Sequence, residues 1–167
     1  MDVLLPGTVV RDGDEYTIHF EREYRGSADE VWSAITTPER AARWLGDLRG
    51  TLAAGERVVL QMGEAADERA DLDIVECRRP ERIELGWLFP GEPYTRVVVE
   101  LRPTSADRTL VVLDHSGFPK EHIPGYGCGW HHYVDALAAY LAGEAPPAFE
   151  DYYPARLDEW RERVAAA

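Results

Sequence analysis

A chain of 167 residues is long enough for one domain with a proper core, which at that size buries about 70% of its unfolded surface, and short for two. Hydrophobic residues make up 45% and charged residues 29%, so neither wholesale disorder nor a fibrous protein fits. With 31 acids against 18 bases the formal charge is −13, and no basic stretch gathers the arginines; a nucleic-acid partner is not expected.

Between Gly7 and Arg25 the turn Asp12-Gly13-Asp14 joins Val9-Val10 to the alternating Tyr16, Ile18 and Phe20, which predicts a hairpin. Ser27-Ala28-Asp29-Glu30 then reads as a capping box, with the serine hydroxyl and the glutamate each satisfying an open backbone donor. The helix it opens has Ala28, Val31, Trp32 and Ile35 on one face. Thr36-Thr37-Pro38 stops it and starts a second short helix, ending near Trp44-Leu45-Gly46.

From Leu48 to His115 the helical period gives way to alternating runs: Val58, Leu60, Met62; Ala70, Leu72, Ile74; Ile83, Leu85, Trp87, Phe89; Val97, Val99, Leu101; Val111, Leu113, His115. Five or six consecutive antiparallel strands are expected. Arg79-Pro80-Glu81 and Arg102-Pro103-Thr104 mark reversals, because proline cannot donate to a central ladder. A glycine-rich loop (Gly125, Gly127, Gly129) precedes a helix from Trp130 to Leu141 with Trp130, Val134, Leu137 and Leu141 on one stripe and Gly143 as its cap. Pro146-Pro147 breaks the chain, and Ala155 to Ala167 reads as a short surface helix bearing Leu157, Trp160 and Val164. Residues 1–145 are thus expected to form the domain and 146–167 an extension. The fold class is α+β: a curved antiparallel sheet wrapped around a long C-terminal helix, with two short helices after the first strand. Sheet and helix need not close completely, which leaves room for an apolar cavity.

The run Tyr24-Arg25, Ala28-Asp29-Glu30-Val31-Trp32, Ile35-Thr36, Pro38-Glu39-Arg40 and Ala42-Arg43-Trp44 resembles the opening signature of the SRPBCC (START-like) superfamily. More narrowly, the chain is similar to homologues of the C-terminal domain of the heat-shock-protein-90 ATPase activator. Their closing signature matches Leu113-Asp114-His115-Ser116-Gly117-Phe118 and Gly129-Trp130-His131 through Leu137. The resemblance implies the helix-grip fold and a cavity beneath the C-terminal helix. The superfamily includes lipid carriers, hormone receptors, aromatic cyclases and chaperone regulators on one scaffold, so the resemblance speaks for fold more than for function. The full-length activators engage the chaperone with a separate N-terminal domain that this sequence does not contain, which weighs against a co-chaperone role.

Three functions stand beside one another. The first is binding of a small hydrophobic or aromatic molecule between Leu60, Leu72, Leu85, Trp87, Val99 and Leu113 of the sheet and Trp130, Val134 and Leu137 of the helix, with Trp44, Phe89 and Tyr126 as further aromatic walls. The plain alternative is that these side chains simply fill the core. The second is a stress regulator that contacts a chaperone, and the third a cofactor-independent polyketide cyclase or dehydratase. For the third, His115, sharing a face with Val111 and Leu113, is the one weak catalytic candidate; a backbone carbonyl more commonly satisfies such a histidine. Asp114 should face outward into solvent.

No nucleophile elbow, phosphate loop, dinucleotide fingerprint or zinc-protease helix occurs, and no cofactor is expected. Cys128, His132, His131, His122 and His115 invite a metal, but their helical phases diverge, and Cys77 and Cys128 match no zinc spacing. Reduced thiols are the default. Glu64, Asp67 and Glu68, like Glu150 and Asp151, read as solvated loops. The apolar runs fall far short of the ~20 residues that cross a bilayer, and Met1-Asp2-Val3 begins no basic signal region; no membrane insertion and a cytoplasmic location are expected.

Overall fold

A computed structural model describes residues 7–167, apart from the side chains of 151 and 152. The expectations at Met1-Asp2-Val3 and for the Asp151 side chain lie outside the described residues. The hairpin β1 (Thr8–Asp12) and β2 (Glu15–Arg25) leads to helices α1 (Ala28–Thr36) and α2 (Pro38–Ala41). Six strands follow: β3 (Asp47–Arg49), β4 (Arg57–Gln61), β5 (Arg69–Arg78), β6 (Arg82–Leu88), β7 (Thr95–Ser105) and β8 (Arg108–Phe118). A single 3₁₀ turn (Lys120–His122) enters α3 (Ile123–Leu141), and α4 (Phe149–Ala166) ends the chain.

All strands join one antiparallel sheet in the order β1-β2-β8-β7-β6-β5-β4-β3. The last six form a meander; α1 and α2 carry the chain from β2, paired with β8, to the opposite edge at β3. The alternation read from the sequence is the alternation of burial: Val58, Leu60, Leu72, Leu85, Trp87, Val97, Leu113 and His115 all face the core. Period-2 side-chain direction then gathers their neighbours Arg82, Glu84, Arg96 and Glu100 on the other face, where they pair with one another. Pro103 stands within β7, and the reversal comes at Ala106-Asp107. It is tolerated because β6 pairs with β7 only up to Glu100, leaving the flank of Pro103 without a partner strand.

Ser27 caps α1 by accepting from Glu30 N at 3.2 Å. The Glu30 carboxylate, however, pairs with Arg40 Nη2 at 2.7 Å instead of completing a capping box. Arg40 also donates to the Tyr140 hydroxyl at 3.0 Å, so one guanidinium ties α1 and α2 to the end of α3. Two further contacts hold α3 to β2: Arg22 pairs with Asp135, and the Tyr24 hydroxyl donates to Val134 O at 2.9 Å.

The largest departures from expectation lie in the helices. The segment with Gly125, Gly127 and Gly129 is the first part of α3, a helix of 19 residues. Glycine costs roughly 1 kcal/mol in a helix interior, but at Gly127 it admits a close neighbour: a Cβ there would lie 2.2 Å from the Trp160 ring. Trp160 and Val164 are buried while most of the other described residues of α4 are exposed, so α4 lies on the surface docked through one face. The Trp160 ring packs against Phe20 at 5.6 Å between centroids, and its N–H donates to His131 Nδ1 at 3.3 Å. Gly143, at φ 76°, ends α3 as expected.

Gly127→Ala should therefore destabilise the fold by about 1–3 kcal/mol through overpacking, read as a lower denaturation midpoint. An unchanged midpoint would contradict the seating of Trp160 against this turn.

Candidate functional site

The site is assembled where the start of α3 crosses the ends of β6, β7 and β8. Trp87 of β6 and Trp130 of α3 tilt against each other with centroids 5.8 Å apart. Tyr126, one turn before Trp130, stands edge-on to Trp87 and packs on Phe118 at 4.6 Å. His115 lies fully buried among these rings, 4.2 Å from Phe118 and 5.5 Å from Trp87.

The hydrogen bonds of His115 fix its tautomer. An indole N–H can only donate, so the Trp130 N–H at 2.9 Å makes Nδ1 the acceptor. The ring proton then sits on Nε2 and is donated to Thr95 Oγ1 at 2.7 Å, and the Thr95 hydroxyl points to Trp87 O at 3.5 Å. Burial pushes the pKa down to about 3. A second proton would also set two donors against each other at Trp130. The ring borders neither of the spaces described below, so its partners are side chains of the core, not the backbone carbonyl that sequence suggested. Asp114, its neighbour, does face outward but accepts from His19 Nδ1 at 2.6 Å. Burial opposes the charged His19 ring, yet Asp114 and Glu21 outweigh it and raise its pKa.

Two spaces meet at the aromatic cluster. Behind it, between sheet and α3, lies an apolar cavity of about 110 Å³. Ten sequence candidates line it: Trp44, Leu60, Leu72, Leu85, Trp87, Val99, Leu113, Trp130, Val134 and Leu137. In front opens a cleft of about 1130 Å³, walled by the α3 start, the loops after β4 and β6, and α4. Phe89 and Tyr126 line this cleft; Leu45, Trp87, Trp130 and Tyr133 border both spaces. The indole N–H groups are engaged within the protein: Trp44 donates to Ala34 O, Trp87 to the Tyr126 hydroxyl and Trp130 to His115.

Several lining residues escaped sequence reasoning. Tyr133 follows Trp130 by three positions, so the helical period alone could have found it. Glu92, whose carboxylate accepts from the Tyr126 hydroxyl, sits in a loop without periodic signal. Phe149, Tyr153 and Leu157 reach the cleft only because α4 is docked. Glu64, Glu68 and Glu150, read as solvated loops, border the cleft as well. Among the described residues no group of three His, Cys, Asp or Glu is placed to hold a metal. Cys128 is buried beneath α4, His132 Nε2 meets Pro147 O at 2.8 Å, and His131 meets Trp160. No helix among the described residues is long and apolar enough to cross a membrane.

A curved antiparallel sheet of eight strands closed on a long helix, with an apolar cavity between them, defines a helix-grip protein. The chain belongs to the family of activator of Hsp90 ATPase homolog 1-like proteins, whose model matches residues 25–142. It is similar to CalU16 from Micromonospora echinospora, with 28% identity and a TM-score of 0.77 over 95% of each chain. The protein encoded by gene BPP1335 from Bordetella parapertussis is 25% identical, with a TM-score of 0.73 over 92% of this chain and 87% of that one. DynU16, a protein of the dynemicin biosynthetic locus, is 26% identical, with a TM-score of 0.70 over 81% of this chain and 49% of its own. No curated protein matches the chain.

His115 should show no imidazole titration between pH 5 and 8 by NMR, with the proton on Nε2. The unfolded ring binds a proton below about pH 6.5, whereas the folded ring does so only near about 3. Its contribution to stability is thus complete above the first value and lost as pH falls toward the second. His115→Ala should lower stability by roughly 1–3 kcal/mol for each partner left unsatisfied; an unchanged melting temperature would refute the structural role.

Proposed function

We propose that the protein binds a small apolar or aromatic molecule, with one end in the cavity between sheet and α3 and the rest in the aromatic cleft. The observation that carries this reading is the continuity of lining. Trp87, Trp130, Tyr133 and Leu45 belong to both spaces, so a guest passing between them stays against apolar surface. A volume of about 110 Å³ is close to that of apolar protein cavities that stay dry and bind benzene. Burying a few hundred Å² of ligand at about 25 cal/mol per Å² supplies several kcal/mol before the costs of association.

Two features favour binding over the other roles. His115 is held neutral, bonded at both nitrogens and away from both spaces, which leaves a cyclase or dehydratase without its acid-base candidate. Charges on the outer sheet face are largely engaged with each other, Arg57 with Asp73 and Arg96 with Glu84 among them, which leaves little there for a chaperone to pair with.

Native mass spectrometry of freshly purified protein, with a thermal-shift panel of aromatic and aliphatic compounds, should reveal a bound species or a raised melting temperature. Val134→Phe, which fills the inner cavity from the helix side, should weaken that binding by about tenfold or more with little loss of stability. No bound species and no shift across the panel would defeat the proposal, as would stimulation of a chaperone ATPase by a protein that binds none of the panel.

A further inference from the structure

The next step rests on that reading and concerns the polar end of the guest. At Glu92 and Tyr126, beside the contact of Trp87 with Trp130, the polar atoms left open are acceptors; Tyr133 and Tyr153, whose hydroxyls can donate, border the cleft as well. Both indole N–H groups are spent, on Tyr126 and on His115. The Tyr126 hydroxyl gives its one proton to Glu92 and accepts from Trp87, which leaves it a single lone pair to offer. An ionised carboxylate likewise offers only lone pairs. A carboxylate or phosphate brought against Glu92 and Tyr126 would find the tyrosine proton already spent and a like charge.

The rest of the cleft points the same way. Glu64, Glu68, Glu121 and Glu150 border it, against Arg161 and His122. Arg161 donates to Asp158 at 2.9 Å in an exposed pair within α4. His122 keeps a buried Nδ1 with no hydrogen-bond partner, donor or acceptor according to its tautomer. The faces of Trp87, Trp130 and Tyr126 attract cations through their quadrupoles.

We propose that the cleft receives its guest through a protonated amine set against Glu92 and Tyr126, with the apolar body directed past Trp87 and Trp130 toward the inner cavity. The ligand class is an amphipathic cation, not a fatty acid or another anion.

Three probes that share one ring system test this: naphthylmethylamine, naphthalenemethanol and naphthoic acid, titrated into the full chain by calorimetry. The amine should bind at least about tenfold tighter than the alcohol, and the acid weakest of the three. The advantage should shrink as salt is added, because the cleft is open to solvent. Glu92→Gln should lower the affinity for the amine by more than that for the alcohol, so that most of the ratio between the two is lost. An acid or alcohol that binds as tightly as the amine overturns the charge assignment and leaves the cavity reading standing. Failure of all three probes, together with a flat thermal-shift panel, overturns both. Should the Glu92 variant not fold, the salt dependence of the intact protein decides: an amine preference indifferent to salt overturns the assignment.

Discussion

A neutral histidine inside an aromatic cluster sets the arrangement on which the site depends. His115 joins three elements that are far apart in the chain: it belongs to β8, donates to Thr95 on β7 and accepts from Trp130 on α3. Each partner is used in the one sense its chemistry allows, since indole can only donate and the singly protonated ring must then donate from its other nitrogen. Buried polar groups left without partners are costly, so this satisfied chain holds the start of α3 at one depth against the sheet. That depth places Trp130 beside Trp87, and the pair borders both the inner cavity and the outer cleft.

The fold therefore divides the space under the helix in a way that a simple picture of sheet gripping helix does not convey. The interior behind the tryptophans is small and apolar, with room for a ring or a short chain. The cleft in front is roomy and of mixed character, with aromatic faces beside carboxylates. The interior offers apolar surface alone, whereas Tyr126 and Glu92 bring hydrogen-bonding groups to the cleft. Helix α4 completes this outer part: Trp160 anchors it at Gly127 while Phe149, Tyr153 and Leu157 extend along the opening.

Histidine thus plays two parallel roles on successive faces of α3. Trp130 donates inward to His115, and Trp160 donates to His131 on the side of α4. In both, burial lowers the pKa of the ring and keeps a lone pair available for the indole. His115 and His131, which in sequence suggested acid-base or metal chemistry, each accept from an indole and so help to join the helices to the core. The remaining anchors of α3, Arg22 with Asp135 and Tyr24 with Val134 O, lie at its other half. The helix is fixed at both ends.

Much of the sheet and its cavity face was legible in the chain alone because strand side chains alternate strictly. Leu60, Leu72, Leu85, Trp87 and Leu113 could be assigned to one face before any register was known. The caps at Ser27, Pro38 and Gly143 were legible for the same local reason. The glycines at 125, 127 and 129 were not, since their local preference is against helix and only the ring of Trp160, some 30 residues on, makes a missing side chain at 127 favourable. The partners of His115 were equally hidden, because a hydrogen bond across β7, β8 and α3 has no signature in neighbouring residues. Sequence by itself determined which side chains face inward, a matter of backbone periodicity; tertiary structure decided which polar atoms are spent on one another and which stay open, because that depends on distances between elements that the chain order does not specify.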